Sequence, residues 1–539
     1  MRILFLVFVL LGSGAASAQT PGSCALGRAE GDLNVSNVFA RVFNTGSLFY
    51  GNITTAGDGY WVPQNEAASP LFAAGLWMGG QVDGSTRTAG GRYSGFTFWP
   101  GPLDDGATLP NASDCSAYDR IYVVTPTAVA QYESGFGATA DLAEWPVGLG
   151  APAVTASGAP VEPSSRDQVI DLAAGERPVL YGSQTAWWVM NDVGNAHTQQ
   201  QTAPLGIEVR VAAFEVTSGA VSGARDATFY RYEIINRNSD PIEGGRAGVF
   251  VDPDLGDASD DFVSSDSTRG MFVAYNGASF DNLYGTPPAL GIDLLSGAGG
   301  SMQFFGGWSS QTAMPVLGSE YYNYLQSRWR DGSEMRSYGD GYNESQGSIV
   351  EWAYPGDPVA GASWSEENIN GQGTRNSSGD RSGVIATPEF ALEPGERYVL
   401  DFAILFAQGT TRLNSVVRLR GVSDAVQAAY DAGDLFPSME VSAGEEEEPP
   451  APTIDELRLT VQPNPSSGMG TIRLALPSRE SVRVRVIDAL GREVAVIADG
   501  DFPMGEHPLA LPSALAAGVY TVEVRTPTTT ASRMLTVVR

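Results

Sequence analysis

Thr228-Phe229-Tyr230-Arg231-Tyr232-Glu233-Ile234-Ile235 decides the fold class. Tyr230, Tyr232 and Ile234 fall on one face of an extended chain, and Arg231 and Glu233 on the other, because successive side chains of a strand point to opposite sides. Upstream, Ile207-Glu208-Val209-Arg210-Val211 alternates in the same way. Downstream, Asn236-Arg237-Asn238-Ser239-Asp240-Pro241 gathers residues that favour turns, and Ala247 to Val251 resumes an apolar run. Strand, turn and strand in that order predict a meander of antiparallel strands. Further on, the turn Leu392-Glu393-Pro394-Gly395-Glu396 leads into Tyr398 to Ala407, which is almost continuously apolar. A run of that kind suits a strand buried on both faces in a sandwich core.

Composition extends this reading to the whole chain. There are 539 residues with 64 glycines and 10% aromatics, and long helical patterns of Ala, Leu and Glu are missing. The expected class is all-β, built of antiparallel β-sandwich domains with little helix. One helix is predicted near 423–432, where Ser423 can cap, Val426, Ala429 and Tyr430 share a face, and Gly433 can end the segment. Gly421 interrupts the weaker pattern of Val416 and Leu419 before it. Residues 206–440 are assigned to this central sandwich. Residues 19–205 are read as β-rich and loop-heavy, since Gly, Ser, Pro and Ala punctuate short runs such as Phe72 to Trp77 and Ile121 to Val124. They suit either a domain of their own or half of one shared with the centre. Residues 441–455, with Glu445 to Glu448 followed by Pro449, Pro450 and Pro452, are an acidic, proline-rich linker that cannot bury apolar surface.

Residues 1–18 carry Arg2, an apolar run from Ile3 to Leu11 and the small-residue stretch Ala16-Ser17-Ala18, the pattern of a cleavable signal peptide. The run is about half the ~20 residues a spanning helix needs, and no other segment is long and apolar enough, so no transmembrane segment is expected. Export places Cys24 and Cys115, the two cysteines of the chain, where a disulfide can form; the alternative is a pair of buried thiols. No lysine is present, and the formal net charge of -30 argues against nucleic acid and anionic lipid as partners.

Beyond the linker, residues 456–539 return to short alternating strands. Leu457, Leu459 and Val461 alternate with polar neighbours, as do Val482, Val484 and Val486, and then Tyr520, Val522 and Val524; Leu535 to Val538 follows. About seven short strands in such a span suggest an immunoglobulin-like sandwich. The Gln462-Pro463-Asn464-Pro465 turn, Val486-Ile487-Asp488 leading to Leu490-Gly491-Arg492-Glu493-Val494, and Leu515-Ala516-Ala517-Gly518-Val519-Tyr520 carry a resemblance. The segment resembles the C-terminal sorting domain of the type IX secretion system, in its type A form. That resemblance implies a Bacteroidota-type source, and as partners an outer-membrane translocon and a tail-processing protease. It also implies passage through the periplasm to the outer-membrane surface or the extracellular medium. The stretch before the linker resembles uncharacterised secreted proteins of the same kind, which supplies no mechanism.

The densest chemical constellation is acidic. Asp252, Asp254, Asp257, Asp260, Asp261 and Asp266 crowd one short stretch around Gly256. Calcium takes about six to eight oxygen ligands, and several are offered here. The spacing departs from the EF-hand pattern. Asp252, Asp254, Asp257, Asp260 and Asp261 are thus either a structural calcium site or a solvated loop in an acidic chain. For catalysis, His197 is the one histidine before the linker, and no nucleophile motif, histidine pair or phosphate loop accompanies it. Trp308, Tyr321, Tyr322, Tyr324 and Trp329, with Asp331 and Asp340 nearby, suit either core packing or a platform for a glycan or protein ligand. The expected passenger is a non-catalytic binding or structural surface protein, with a secreted carboxylate-dependent glycan hydrolase as the alternative.

Overall fold

The computed structural model describes residues 22–51, 59–66, 68–93, 96–109, 115–297, 299–306, 310–436, 457–462, 466, 471–476, 480–488, 490–502, 505–512, 515–527 and 529–538. The leader at 1–18, the linker at 441–455, Trp308 and the Pro463-Asn464-Pro465 turn lie outside the described residues. Two compact units divide the chain, Met1–Met439 and Glu440–Arg539. The protein is mostly β, with few helices and several antiparallel sheets.

In the first unit two large sheets face each other. One has ten strands among the described residues; Ala73–Val82 pairs with Ile242–Asp252, which pairs with Ser382–Ala386, which pairs with Ser301–Phe305. The other has nine, with Arg397–Ala407 between Ala289–Leu294 and Ala227–Asn236, and Ile207–Glu215 and Gln184–Asn191 beyond. Residues from 22–205 therefore enter both sheets and pair directly with strands from the centre of the chain. Leu76, Val249 and Ile385 from the first sheet meet Tyr230, Tyr232, Ile234, Leu400, Phe402 and Ile404 from the second in one core. Tyr230 and Phe402 stack there with centroids 4.8 Å apart.

The opposite face of the second sheet is also covered. Ala403 and Leu405 share a second core with Val416, Leu419 and Val426 of the helix Arg412–Asp431. Arg231 lies on this covered face and forms a bidentate pair with Asp401, 2.8 and 2.7 Å, roofed by the Phe436 ring, while Tyr430 donates to Asp401 at 2.9 Å. From Leu400 onward the apolar run 398–407 is buried on both sides for this reason, with Tyr398 and Val399 half-buried at its entry. The helix is longer than its sequence pattern suggested. Thr411 caps it, accepting from the Asn414 N–H, so Ser423 is not the cap but a buried residue well inside. Gly421 is tolerated because a side chain there would meet nothing within 4 Å: it faces outward, and the cost is propensity alone, about 1 kcal/mol. No helix among the described residues is long and apolar enough to cross a membrane.

Cys24 and Cys115 form a disulfide, Cα atoms 5.4 Å apart, packed against Trp99. Beside it, Gly22 and Cys24 donate their N–H groups to the carbonyls of Val193 and Gly194.

The second unit is a small sandwich. Arg458–Gln462, Thr471–Leu476 and Gly505–Ala510 form one sheet; Glu493–Phe502, Glu480–Asp488, Gly518–Arg525 and Thr530–Val537 form a four-stranded one. Leu459, Ile472 and Leu474 from the first pack on Val482, Val484, Val522 and Leu535 from the second. Strands with one wet face must alternate, which is why Val482, Val484 and Val486 are buried while Arg483 is exposed.

Candidate cation site

The strand Ile242–Asp252 ends the first sheet's share of this part of the chain, and Asp261–Asp266 opens an edge strand of the second sheet. Residues 253–260 cross between them. The crossing is held by Asp281, whose carboxylate accepts from the N–H groups of Asp257, Leu283 and Tyr284 at 3.1, 2.7 and 2.7 Å. Gly256 sits at φ +83°, and a Cβ there would collide with that carboxylate, so glycine is required at this point. Leu255 is fully buried and anchors the crossing.

Val251 pairs with Gly383, which brings the segment just before Ser382 against Asp252. Asp252, Asp254 and Asp380 consequently converge: one carboxylate oxygen from each lies within 4.8 Å of the others, with Asp252 buried, Asp254 half-buried and Asp380 exposed. This group can hold a metal ion. Asp252 is fixed by hydrogen bonds from Ser382 Oγ to Oδ1 and from Tyr93 Oη to Oδ2, both 2.6 Å. Burial pushes its carboxyl up to about 6, against the pull of those two donors. Asp261 is fully buried; Oδ2 faces the Leu255 N–H at 3.4 Å and Oδ1 has no hydrogen-bond partner. Burial, with Asp254, Asp260 and Asp380 adding like charge, drives Asp261 well above the usual carboxylate range.

The five aspartates singled out by sequence are thus not one ligand set. Asp252 and Asp254 join the group. Asp257 is exposed and accepts from the Ser259 N–H and hydroxyl, 3.0 and 2.7 Å, which holds its carboxyl below the ordinary value. Asp260 accepts from Asn276 Nδ2 at 2.6 Å. Asp266, at the far end of its strand, pairs with Arg269 at 2.8 Å. Asp380 was missed because it lies far along the chain and reaches the group only through strand pairing; nothing in its own neighbours, Gly379 and Arg381, marks it.

His197 is buried, with Nδ1 2.9 Å from the Thr88 carbonyl and Nε2 2.7 Å from the Asp192 carbonyl. Its ring braces two backbone segments. The aromatic group is core and not an exposed platform: Tyr321, Tyr324 and Trp329 are buried, and Tyr322 is tied to the Gly244 carbonyl at 2.7 Å. Trp77, Phe250, Phe305 and Tyr324 stack in sequence over the outer face of the first sheet. Asp331 accepts from Tyr342 Oη at 2.8 Å, and Asp340 from the Tyr342 N–H at 3.0 Å.

In the second unit Asp488 organises a hairpin turn, accepting from the N–H groups of Leu490 and Arg492, both at 2.9 Å, while Gly491 supplies φ +81°. Gly518 opens the next strand, and two residues on Tyr520 Oη donates to the Ala516 carbonyl at 2.9 Å, pinning the entry to that strand.

No curated protein matches the sequence. Among solved structures the chain is similar to a polysaccharide lyase, at 9% identity, 61% of this chain, 34% of that one and a TM-score of 0.20. It therefore spans about a third of the lyase's length. It is also similar to the adhesin domain of Epf from Streptococcus pyogenes, at 7% identity, 61% and 89% of the two chains and a TM-score of 0.12. A third likeness is to dimeric latent PorU from Porphyromonas gingivalis, at 11%, 66%, 31% and 0.13. TM-scores of this size bear on neither fold nor activity. Residues 460–538 match the family described as the secretion system C-terminal sorting domain. The second unit is thus a type IX secretion sorting domain, and the protein is exported to the cell surface or the medium.

Proposed function

We propose that the first unit is a non-catalytic binding or structural protein of the cell surface or surrounding medium, stabilised by calcium at the Asp252 corner. The observation that carries this reading is the use of its reactive-type side chains as braces. His197 bridges two backbone carbonyls, Asp192 accepts from Leu205, Gly206 and Ile207, and Glu366 is locked to Arg381 by two bonds of 3.0 and 3.1 Å. Calcium suits the corner because its donors are all oxygen and its geometry is flexible, whereas magnesium needs a near-ideal octahedron. The test is incubation of the purified chain with a panel of acidic and neutral polysaccharides, following new reducing or unsaturated ends. Binding without product release is expected; turnover abolished by removing one of two facing carboxylates would establish the hydrolase instead.

The processing scheme belongs to the same proposal. Residues 1–18 are removed at the inner membrane, and the tail-processing protease cuts within 441–455, where an acidic, proline-rich backbone is accessible. Deleting Leu457 to Arg539 is expected to abolish surface delivery. Mass spectrometry of the mature protein is expected to find its C-terminus inside the linker; an intact Arg539 on surface material would contradict the scheme.

A further inference from the structure

The outer face of the four-stranded sheet in the second unit follows from its alternation and register. Tyr520, Val522 and Val524 are buried, so Val519, Thr521, Glu523 and Arg525 point the other way; Leu535 and Val537 are buried, so Met534 and Thr536 do the same. Strand pairing sets Ile487, Thr521 and Met534 in one row and Val519 beside Thr536 in the next. At that end of the face Met534 is 65% exposed and Val519 49%, and the turn that follows Ile487 presents Leu490, 78% exposed. Large apolar side chains gathered at this exposure and rimmed by polar ones mark a surface for another macromolecule. The rim is layered by charge. Arg525 is 60% exposed over Glu523 at 17%, and Arg492 is 72% exposed over Asp488 at 14%. Arg483, paired with Glu493 and Asp499, is 48% exposed, and of these carboxylates only Asp499 reaches out as far as its arginine. Residues 457–539 hold nine arginines against seven acidic residues, in a chain whose formal net charge is -30. The acidic excess therefore lies entirely ahead of the tail.

We propose that this outer face, with the Leu490 turn, is the surface by which the export machinery selects the chain, and that the matching surface of the machinery is apolar at its centre and acidic at its rim. This rests on the sorting assignment and adds to it the face that is read and the chemistry of the reader. Methionine, aliphatic and arginine side chains suit the centre and edge of a protein interface, where lysine, glutamate and aspartate are depleted. An acidic rim attracts the protruding arginines and repels a strongly acidic cargo, so one charge pattern both speeds the right encounter and disfavours the wrong one.

The test uses the full chain in cells of its native host, following the fraction delivered to the surface against the fraction held in the periplasm. The unfolding midpoint of each purified chain is the folding control. Met534→Asp and Leu490→Asp are each expected to lower delivery about tenfold or more, with folded precursor retained, because central apolar anchors carry most of an interface's energy. Met534→Gln and Leu490→Gln repeat the test without added charge wherever an aspartate lowers the midpoint. Arg483→Gln combined with Arg525→Gln is expected to lower delivery severalfold, and Arg483→Lys combined with Arg525→Lys to restore it. Phe136→Asp, at an exposed apolar residue of the first unit, is expected to be delivered like the parent. Delivery of the Met534 and Leu490 variants at the parent level overturns the face. Equal delivery by the glutamine and lysine pairs overturns the acidic rim. Delivery of a chain lacking Leu457 to Arg539 overturns the sorting assignment itself.

Discussion

The second sheet of the first unit and the four-stranded sheet of the sorting domain are both antiparallel, yet they treat their outer faces in opposite ways. In the sorting domain that face is wet: Arg483 is exposed and pairs with Asp499 at 2.9 Å, beside Arg485 and Glu523. In the first unit the corresponding layer is sealed by the helix Arg412–Asp431 and by Trp145, Tyr181 and Phe436. The same chemical pair, arginine with carboxylate, is therefore a solvated surface contact in one place and a desolvated brace in the other. A charge pair on a sheet can be weighed only once its cover is known.

Breaking the covered pair should give the largest effect. Asp401→Ala leaves Arg231 without its counter-charge beneath Phe436, and about 3–5 kcal/mol of stability should be lost in denaturant unfolding. Removing the cover by one side chain comes next: Leu419→Ala opens a cavity under the helix and should cost about 3 kcal/mol, with the hydrogen-exchange loss concentrated in 397–407 and 412–431.

A third change probes the cover through pH. Asp293 lies under the same helix with both carboxylate oxygens buried; burial pushes it up to about 7 against the pull of Ser423 and Arg269, with Asp266 and Asp424 adding like charge. Because the folded value is raised, the folded chain holds the proton more tightly. Its penalty is absent in acid, grows as pH rises from the ordinary carboxylate value to about 7, and is constant above. Asp293→Asn should remove that slope, making the variant more stable than the parent at pH 8 and nearly equal to it at pH 4, read as the difference between their denaturant midpoints at the two pH values. A parent and variant that respond to pH in parallel would show that Asp293 does not titrate in this range. The smallest effect is expected on the wet face, where Arg485→Gln should leave the sorting domain's unfolding midpoint unchanged within error.

The same contrast explains how much could be read from the sequence. The wet-faced strands were legible residue by residue, because water on one side enforces alternation; Val482, Val484 and Val486 are buried where their spacing puts them. The run 398–407 was legible only as doubly buried, with no sign of what buries it. The helix that does so was half read, since Gly421 resembles a break until its outward position is seen. At the cation corner Asp252 and Asp254 were visible as local density of charge. Asp380 was not, because its place is set by the register of Gly383 against Val251, a pairing no local pattern encodes. The aromatic cluster between 321 and 329 was ambiguous for the same reason: burial of Tyr324 and Trp329 is a property of the layer packed on them.

The position of Arg397–Ala407 in its sheet sets an order of events. Flanked on one side by Ala227–Asn236 and on the other by Ala289–Leu294, it is the last strand of the first unit among the described residues and the one at the sheet's centre. A chain interrupted before residue 397 carries two half-sheets, each with a long unpaired apolar edge, the kind of surface that seeds aggregation. Closure of the sheet requires residues 397–407, and the sorting domain follows some 50 residues later. The sorting domain lies C-terminal to this strand, so a chain that carries it also carries the segment that joins the two half-sheets.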